Sequence, residues 1–248
     1  MTDFSQVWQQ LPGWGYLVVG LAALLVGFSK TAIANVAMLS VAACAALLPT
    51  KESTGAILTM YLVADLVAIW VYRRHVAWRL IGRMMPPVAA GIAVGAVFLN
   101  WVSDWALKRT IGVILLALLV VGLRPGKLEA ERRPVAAAYG GLAGFTTMVA
   151  NAGGPAFSLY LLAARFDKLR FLGTSAWFYF AINVAKLPVS IVLGVMRPPV
   201  ALFGLAFAPV VLVGAVLGRR FVARLDQGVF DRLVMVFIGV AVVCLLVG

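Results

Sequence analysis

The chain has 248 residues, of which 63% are hydrophobic and only 12% are charged. Soluble domains are about 45–50% apolar and about 25% charged, so this composition excludes an ordinary soluble globular protein. The formal net charge of +12 does not indicate a nucleic-acid partner, because most of the excess lies in short loops beside apolar segments, where basic residues orient a membrane protein in its lipids.

Eight apolar segments follow one another along the chain. They cover residues 14–48, 53–72, 80–99, 105–123, 135–164, 170–196, 200–218 and 229–247. Long continuous apolar runs indicate helices, not the alternating strands of a membrane barrel. Six segments suit one span of about 20 residues, whereas the first and the fifth are too long for one straight helix.

The two long segments are interrupted by polar and helix-breaking residues, GFSKTAIAN at 27–35 and GFTTMVANAGG at 144–154. Other residues recur at a constant spacing. Gly55 and Tyr61 match Gly173 and Tyr179 at 118 residues, and Gly91, Gly95, Phe98 and Arg109 match Gly214, Gly218, Phe221 and Arg232 at 123. The pattern predicts two repeats, 14–123 and 135–248, joined by a charged linker at 124–134.

Basic residues in the loops discriminate between two topologies. If every segment crosses once, the loop lysines and arginines divide almost evenly, nine against ten. If the two long segments turn back at their interruptions, one side carries only Lys51, Lys108, Arg109 and Arg197, and the other carries fifteen. The positive-inside rule favours the second topology.

The sequence therefore predicts an all-α polytopic membrane protein with two repeats of inverted topology. Each repeat is a broken or re-entrant helical hairpin (14–48 and 135–164) followed by three transmembrane helices. The linker is then cytoplasmic, and both termini, including residues 1–13, are non-cytoplasmic. Whether the hairpin arms cross the whole membrane stays open.

Three ionisable residues lie within these segments, where a charge is costly and normally faces a polar interior. Lys186 is expected to attract an anionic substrate or, alternatively, to form a structural ion pair with Asp65. Lys30 either reaches the same site or extends toward the basic side. Asp65 carries protons or pairs with a lysine, and the spacing of 118 maps it onto Asn183, one turn before Lys186.

The interruptions add groups that suit an anion. A half-helix that begins inside the membrane points free N–H groups and a positive dipole end inward, and Gly153, Gly154 and Pro155 suit such a start. Close packing or a kink would also explain these glycines. The predicted substrate-binding residues are Lys186, Asn183, Asn151, Gly153, Gly154, Thr146, Thr147, Asn35 and Lys30, with Asp65 in ion coupling. The pairs Gly91/Gly95 and Gly214/Gly218 are expected to pack helices, and they also allow a homodimer.

Enzymatic chemistry is not expected from this chain. It has no HExxH motif, no paired acids inside the membrane and no GxxxxGK[ST] phosphate loop. Cys44 and Cys244 lie in apolar runs and read as small core residues. We therefore expect no catalytic residue, no metal site and no cofactor.

These features resemble the TauE/SafE family of sulfite and sulfonate exporters. The stretch LVADLVAIWVYRRHVAW at 62–78 is similar to the D-x-x-A-x-x-x-Y-R-R-H-x-x-W form of a subgroup, and NAGGP at 151–155 and NVAKLP at 183–188 are similar to its second repeat. The first repeat departs from the pattern, with AIANVAM where many members have a GIGGG-type run. The resemblance implies secondary transport of a small sulfur-containing or carboxylate anion across the bacterial cytoplasmic membrane, and it leaves the substrate open.

Two other functions use the same features. A passive anion channel also needs a polar centre. A non-transporting membrane scaffold would use the lysines as structural ion pairs.

Overall fold

The protein is described by a computed structural model that covers residues 11–98, 133–150, 153–192 and 194–247, together with Val113 and Leu116. Most of the predicted span 105–123 and the linker 124–134 lie outside these residues. The described part contains helices and no strand. The helices are α1 (Gly13–Thr31), a 3-10 turn (Ala34–Val36), α2 (Ala37–Ala45), α3 (Thr50–Tyr72), α4 (Trp78–Phe98), α5 (Arg133–Ala150), α6 (Gly153–Ala163), α7 (Lys168–Val192), α8 (Pro198–Ala206), α9 (Ala208–Ala223) and α10 (Gln227–Val247).

Four of the described helices, α1, α3, α4 and α7, are long and apolar enough to cross a membrane. In place of the predicted straight span 200–218, α8 and α9 meet at a bend of 48° and make a fifth span if they are counted together. Pro209 lies in the first turn of α9, and a proline there cannot continue the hydrogen-bond ladder of α8. The chain is thus an all-helical, multi-pass membrane protein.

The chain divides into two compact units that each combine parts of both sequence repeats. The first unit comprises Met1–Arg74 and Ala176–Leu225, and the second comprises His75–Ser175 and Asp226–Gly248. The helix α7 begins in the second unit and continues in the first.

In the first unit, the backbones of α1 and α9 touch. A Cβ atom at Gly27 would collide with the carbonyl oxygen of Val211, and one at Gly214 would collide with that of Leu24. Both positions therefore require glycine, and the rings of Phe28 and Phe221 lie 5.4 Å apart beside this contact. Around it, α1 packs on α2 and α3, and α3 packs on α8.

The second unit contains the same contact between α4 and α5. A Cβ atom at Gly91 would collide with the carbonyl oxygen of Gly141, and one at Gly144 with that of Val88. The rings of Phe98 and Phe145 lie 5.5 Å apart. The glycines and phenylalanines of the two contacts are at equivalent positions of the two predicted repeats, so the same kind of helix pair occurs twice.

The fifth apolar segment is broken where the sequence predicts, and its two helices lie antiparallel. Gly153, the first residue of α6, lies against Ala143 and Thr147 of α5. The rings of Tyr139 and Tyr160 are 5.6 Å apart, although an unbroken helix would separate two such residues by about 30 Å.

The second helix of each broken segment is short. Helix α2 has 9 residues and α6 has 11, which corresponds to about 14 Å and about 16 Å of length. Neither covers a hydrocarbon core of about 30 Å. In contrast, α1 has 19 residues, enough for about 28 Å.

Candidate functional site

A buried charge cluster lies inside the first unit, where three of its helices meet. The carboxylate of Asp65 on α3 is fully buried. The ammonium nitrogen of Lys30 on α1 lies 2.8 Å from Oδ1 of Asp65, and Nδ2 of Asn183 on α7 donates a hydrogen bond of 2.6 Å to Oδ2. One carboxylate oxygen thus accepts a hydrogen bond, and the other has the charge of Lys30 beside it but, among the described residues, no hydrogen bond of good geometry. A charge in an apolar interior requires such a partner.

Two tyrosine rings complete the surroundings of Lys30. Its ammonium nitrogen lies 4.6 Å from the ring centroid of Tyr61 and 4.9 Å from that of Tyr179, within the range of a cation–π interaction. Each tyrosine precedes its polar neighbour, Asp65 or Asn183, by four residues, so both members of each pair share one helix face. The two pairs are at equivalent positions of the predicted repeats, and the ammonium group of Lys30 lies near Asp65 and both tyrosine rings.

The position of Lys30 follows from the way in which α1 ends. The hydroxyl of Thr31 donates to the carbonyl oxygen of Ala215 at 2.8 Å. The carbonyl oxygen of Thr31 accepts a hydrogen bond of 2.7 Å from the hydroxyl of Tyr72. Lys30 lies in the last turn of α1, where the helix dipole favours a positive charge. The end of α1 thus directs the lysine into the helix bundle.

The side chain of Lys30 is only 7% exposed, so the alternative that it extends toward the basic side is wrong. The sequence left open which lysine pairs with Asp65, and the geometry assigns Lys30 to it. Sequence reasoning also missed Tyr61 and Tyr179 as members of the site. The signal was present, since each lies one helical turn before an intramembrane polar residue.

Lys186 gives the cluster an excess of positive charge. It follows Asn183 by one turn on α7, which places the two residues on one face. Its side chain is half-buried. The region thus carries two lysines and one carboxylate, so an anion would be attracted to it.

Two buried polar side chains follow Lys30 in the broken segment. Asn35 lies in the 3-10 turn and Ser40 on α2, and both are buried. Within the described part of the chain, neither the amide group of Asn35 nor the hydroxyl of Ser40 has a hydrogen-bond partner. An unsatisfied buried polar group costs about 1–3 kcal/mol, so these side chains need an explanation. A ligand would provide one.

The predicted site residues of the second broken segment belong to the second unit. Gly153, Gly154, Thr146 and Thr147 lie there, and Asn151 is outside the described residues. The hydroxyl of Thr146 donates to the carbonyl oxygen of Leu142 in its own helix at 2.8 Å. Gly153 is explained by its close approach to α5. Hairpin packing therefore accounts for part of this group without a ligand.

Comparison with known proteins gives one match. A family model described as Sulfite exporter TauE/SafE matches residues 19–245. Searches of curated protein sequences and of solved structures find no match. The matched range covers most of both predicted repeats and the whole charge cluster.

Proposed function

The chain belongs to the TauE/SafE family of sulfite exporters, and we propose that it is a secondary transporter that exports a small anion across the cytoplasmic membrane. Sulfite, an organosulfonate or a related oxyanion or carboxylate fits this proposal. One observation carries it: a lysine, an aspartate and an asparagine are bound together in the interior of spanning helices, with a second lysine beside them. Such residues are retained inside membranes when a polar substrate must pass.

The proposed substrate contacts lie on the face of α7 that carries Asn183 and Lys186, and at Asn35. Lys186 supplies the charge, because Lys30 is already paired with Asp65. The amide of Asn35 supplies donors that have no other partner in the described part of the chain. The contributions of Asn151, Gly153, Gly154, Thr146 and Thr147 rest on the sequence pattern alone.

We assign ion coupling to Asp65. Protonation of its carboxylate would remove its attraction for Lys30, whose charge would then be available to the anion. The anion and the proton would move together. A negative interior expels an anion with about 2.3 kcal/mol per charge per 100 mV, and a proton that moves with it cancels one charge. Coupling through Asp65 would therefore make the transport electroneutral, so that the concentration gradients of the anion and the proton, and not the membrane potential, set its direction.

The coupling can be measured in liposomes that contain the purified protein and a monovalent sulfonate. We expect one proton to accompany each anion, reported by an internal pH dye, and the flux to be insensitive to a potassium-diffusion potential. An Asp65→Asn variant that still transports should lose the proton signal and follow the potential. A flux of the native protein that already carries one net charge would rule out coupling by Asp65.

The inverted repeats remain part of the proposal. They are supported by the two broken segments and by the equivalent contacts of α1 with α9 and of α4 with α5, in which the repeats exchange roles. Since these contacts tie helices of different repeats together, the rigid bodies of an alternating-access cycle would be the compact units, not the sequence repeats. The short helices α2 and α6 would be re-entrant arms.

The charge of Lys186 provides the direct test of transport. Saturable flux of labelled sulfite or sulfonate into liposomes, with counterflow, is expected for the native protein. Lys186→Gln should reduce this flux at least about tenfold, since an intramembrane charge is worth several kcal/mol. The matched control Lys168→Gln removes a lysine from the end of the same helix and should change the flux less than about twofold.

The alternatives give different results in the same assay. Conductance without saturation or counterflow would indicate a passive channel. The absence of any anion flux in the native protein would indicate a scaffold. Equal saturable flux in Lys186→Gln and Lys168→Gln would exclude the placement of the substrate at Lys186.

A further inference from the structure

A second basic feature lies in the second unit, outside the charge cluster. It is a cavity of about 560 Å³ beside the first turns of α4 and the loop before α7. Three arginines line it, Arg79 and Arg83 from α4 and Arg170 from α7. Its volume is within the range of about 300–1,000 Å³ that is typical of ligand sites.

The arginines of this cavity lack acidic partners. No carboxylate in the described part of the chain forms an ion pair with Arg79, Arg83 or Arg170. The guanidinium of Arg170 lies over the ring of Phe166, at 4.6 Å from the centroid. Arg79 and Arg83 are four residues apart on one face of α4, a spacing at which like charges destabilise a helix. An uncompensated group of three guanidiniums indicates an anionic ligand.

The two acids nearby accept hydrogen bonds from groups other than the guanidiniums. The carboxylate of Asp167 accepts a hydrogen bond of 3.0 Å from the backbone nitrogen of Arg170. The carboxylate of Asp231 accepts one of 2.8 Å from Gln227. Both acids line a neighbouring cavity and not this one. Among the described residues, the wall of the basic cavity therefore carries three arginines and no acid.

The rest of the cavity wall is apolar or aromatic. Val76, Leu80 and Tyr160 contribute to it, and so does Trp78, whose side chain is largely exposed. Tryptophan favours the interface between hydrocarbon and headgroups. A free inorganic anion would gain nothing from these side chains, whereas the glycerol and first methylenes of a lipid would cover them.

We propose that this cavity binds the phosphate group of an anionic membrane lipid, such as phosphatidylglycerol or cardiolipin. Arg79, Arg83 and Arg170 hold the phosphate oxygens, and Trp78 and Leu80 contact the glycerol region. Both surrounding loops belong to the side with fifteen basic residues, which is the cytoplasmic side in the proposed orientation. Basic pockets on that side of membrane proteins suit such headgroups.

The test uses the full-length protein in a neutral detergent and counts bound lipids by native mass spectrometry. The double variant Arg79→Gln/Arg83→Gln is compared with Arg73→Gln/Arg74→Gln, which removes the same charge from the preceding loop but none from the cavity wall. We expect the cavity variant to bind phosphatidylglycerol at least about tenfold more weakly, since each basic residue near a headgroup contributes about 1 kcal/mol. The loop variant should change less than threefold, as should the binding of phosphatidylcholine in all three proteins.

Three results would overturn the proposal. Equal weakening in both double variants would mean that the loop charge acts diffusely. Unchanged lipid binding in the cavity variant would place the lipid elsewhere. Displacement of the lipid by millimolar inorganic phosphate, with phosphate bound as tightly as the lipid, would make a soluble phosphate the ligand. An Arg79→Lys/Arg83→Lys variant should retain part of the lipid binding, because it keeps the charge and loses only the planar fork of the guanidinium. Its melting temperature reports whether the fold is intact.

Discussion

At the scale of single residues, the environment of Lys30 is the main result. The sequence marks Lys30, Asp65 and Lys186 as costly charges in apolar helices. In the structure, Lys30 is paired with Asp65, and its ammonium group lies near the rings of Tyr61 and Tyr179. In the proposed function, the two lysines would have separate tasks: Lys30 would set the state of Asp65, and Lys186 would attract the anion.

The ion pair should show strong energetic coupling. Lys30→Met leaves a buried carboxylate without its partner and should lower the free energy of unfolding by about 3–5 kcal/mol. The double variant Lys30→Met/Asp65→Asn should recover at least half of that loss, because neither charge then remains buried alone. Melting temperatures in detergent report both changes, with Lys168→Met as the control for the loss of a lysine. Additive losses in the double variant would contradict the pairing.

At the scale of helices, glycine determines which helices can touch. Gly27 and Gly214 bring α1 and α9 into backbone contact, and Gly91 and Gly144 do the same for α4 and α5. Gly27 and Gly144 are equivalent in the predicted repeats, as are Gly91 and Gly214, so one type of contact occurs twice. The second long segment breaks beside Gly153, Gly154 and Pro155, and glycine and proline interrupt a helix where they cluster.

Helix α1 has one glycine at the contact and one away from it, and these two provide a matched pair of substitutions. Gly27→Ala places a methyl group into the backbone of Val211 and should destabilise the protein by about 1–3 kcal/mol. Gly20→Ala, also in α1, meets no atom within 4 Å and should be neutral or stabilising by up to about 1 kcal/mol. Gly91→Ala and Gly82→Ala form the equivalent pair in α4. If Gly27→Ala melted at the same temperature as Gly20→Ala, the close contact of α1 with α9 would be refuted.

At the scale of the whole molecule, the division of the chain into compact units does not follow the order of the predicted repeats. The repeats follow one another along the chain, but each compact unit takes helices from both. A unit built in this way cannot complete its contact between glycine-bearing helices until both repeats are present. We expect neither repeat to fold alone, because α1 would lack α9 and α5 would lack α4.

The orientation of the chain follows from the loop charges and can be tested on the intact protein. The count of four basic residues against fifteen predicts that both termini are outside the cytoplasm. A C-terminal alkaline phosphatase fusion should therefore be active, and a C-terminal green fluorescent protein fusion should be dark. A fluorescent C-terminal fusion with an inactive phosphatase fusion would reverse the orientation and, with it, the side on which the basic cavity lies.

Much of the fold was accessible from the sequence. The membrane class, the breaks in both long segments and the family follow from hydrophobic length, from clustered helix breakers and from short motifs, and the match over residues 19–245 confirms the family. The bend between α8 and α9 was missed, although Pro209 is a local signal for it. An apolar run does not reveal such a bend by its hydropathy, because both halves remain hydrophobic.

The sequence by itself determined which residues are energetically unfavourable in membrane helices, namely the charges within apolar segments, the helix breakers and the glycines at fixed spacing. Only the tertiary structure decided which contacts stabilise these residues. Lys30 pairs with Asp65, its ammonium group lies near the rings of Tyr61 and Tyr179, and each compact unit contains residues from both predicted repeats. The physical reason is that hydrophobicity and backbone propensity act along the chain, whereas ion pairs and side-chain hydrogen bonds depend on which helices become neighbours. Asp65 and Asn183, which share such a hydrogen bond, are 118 residues apart in the sequence.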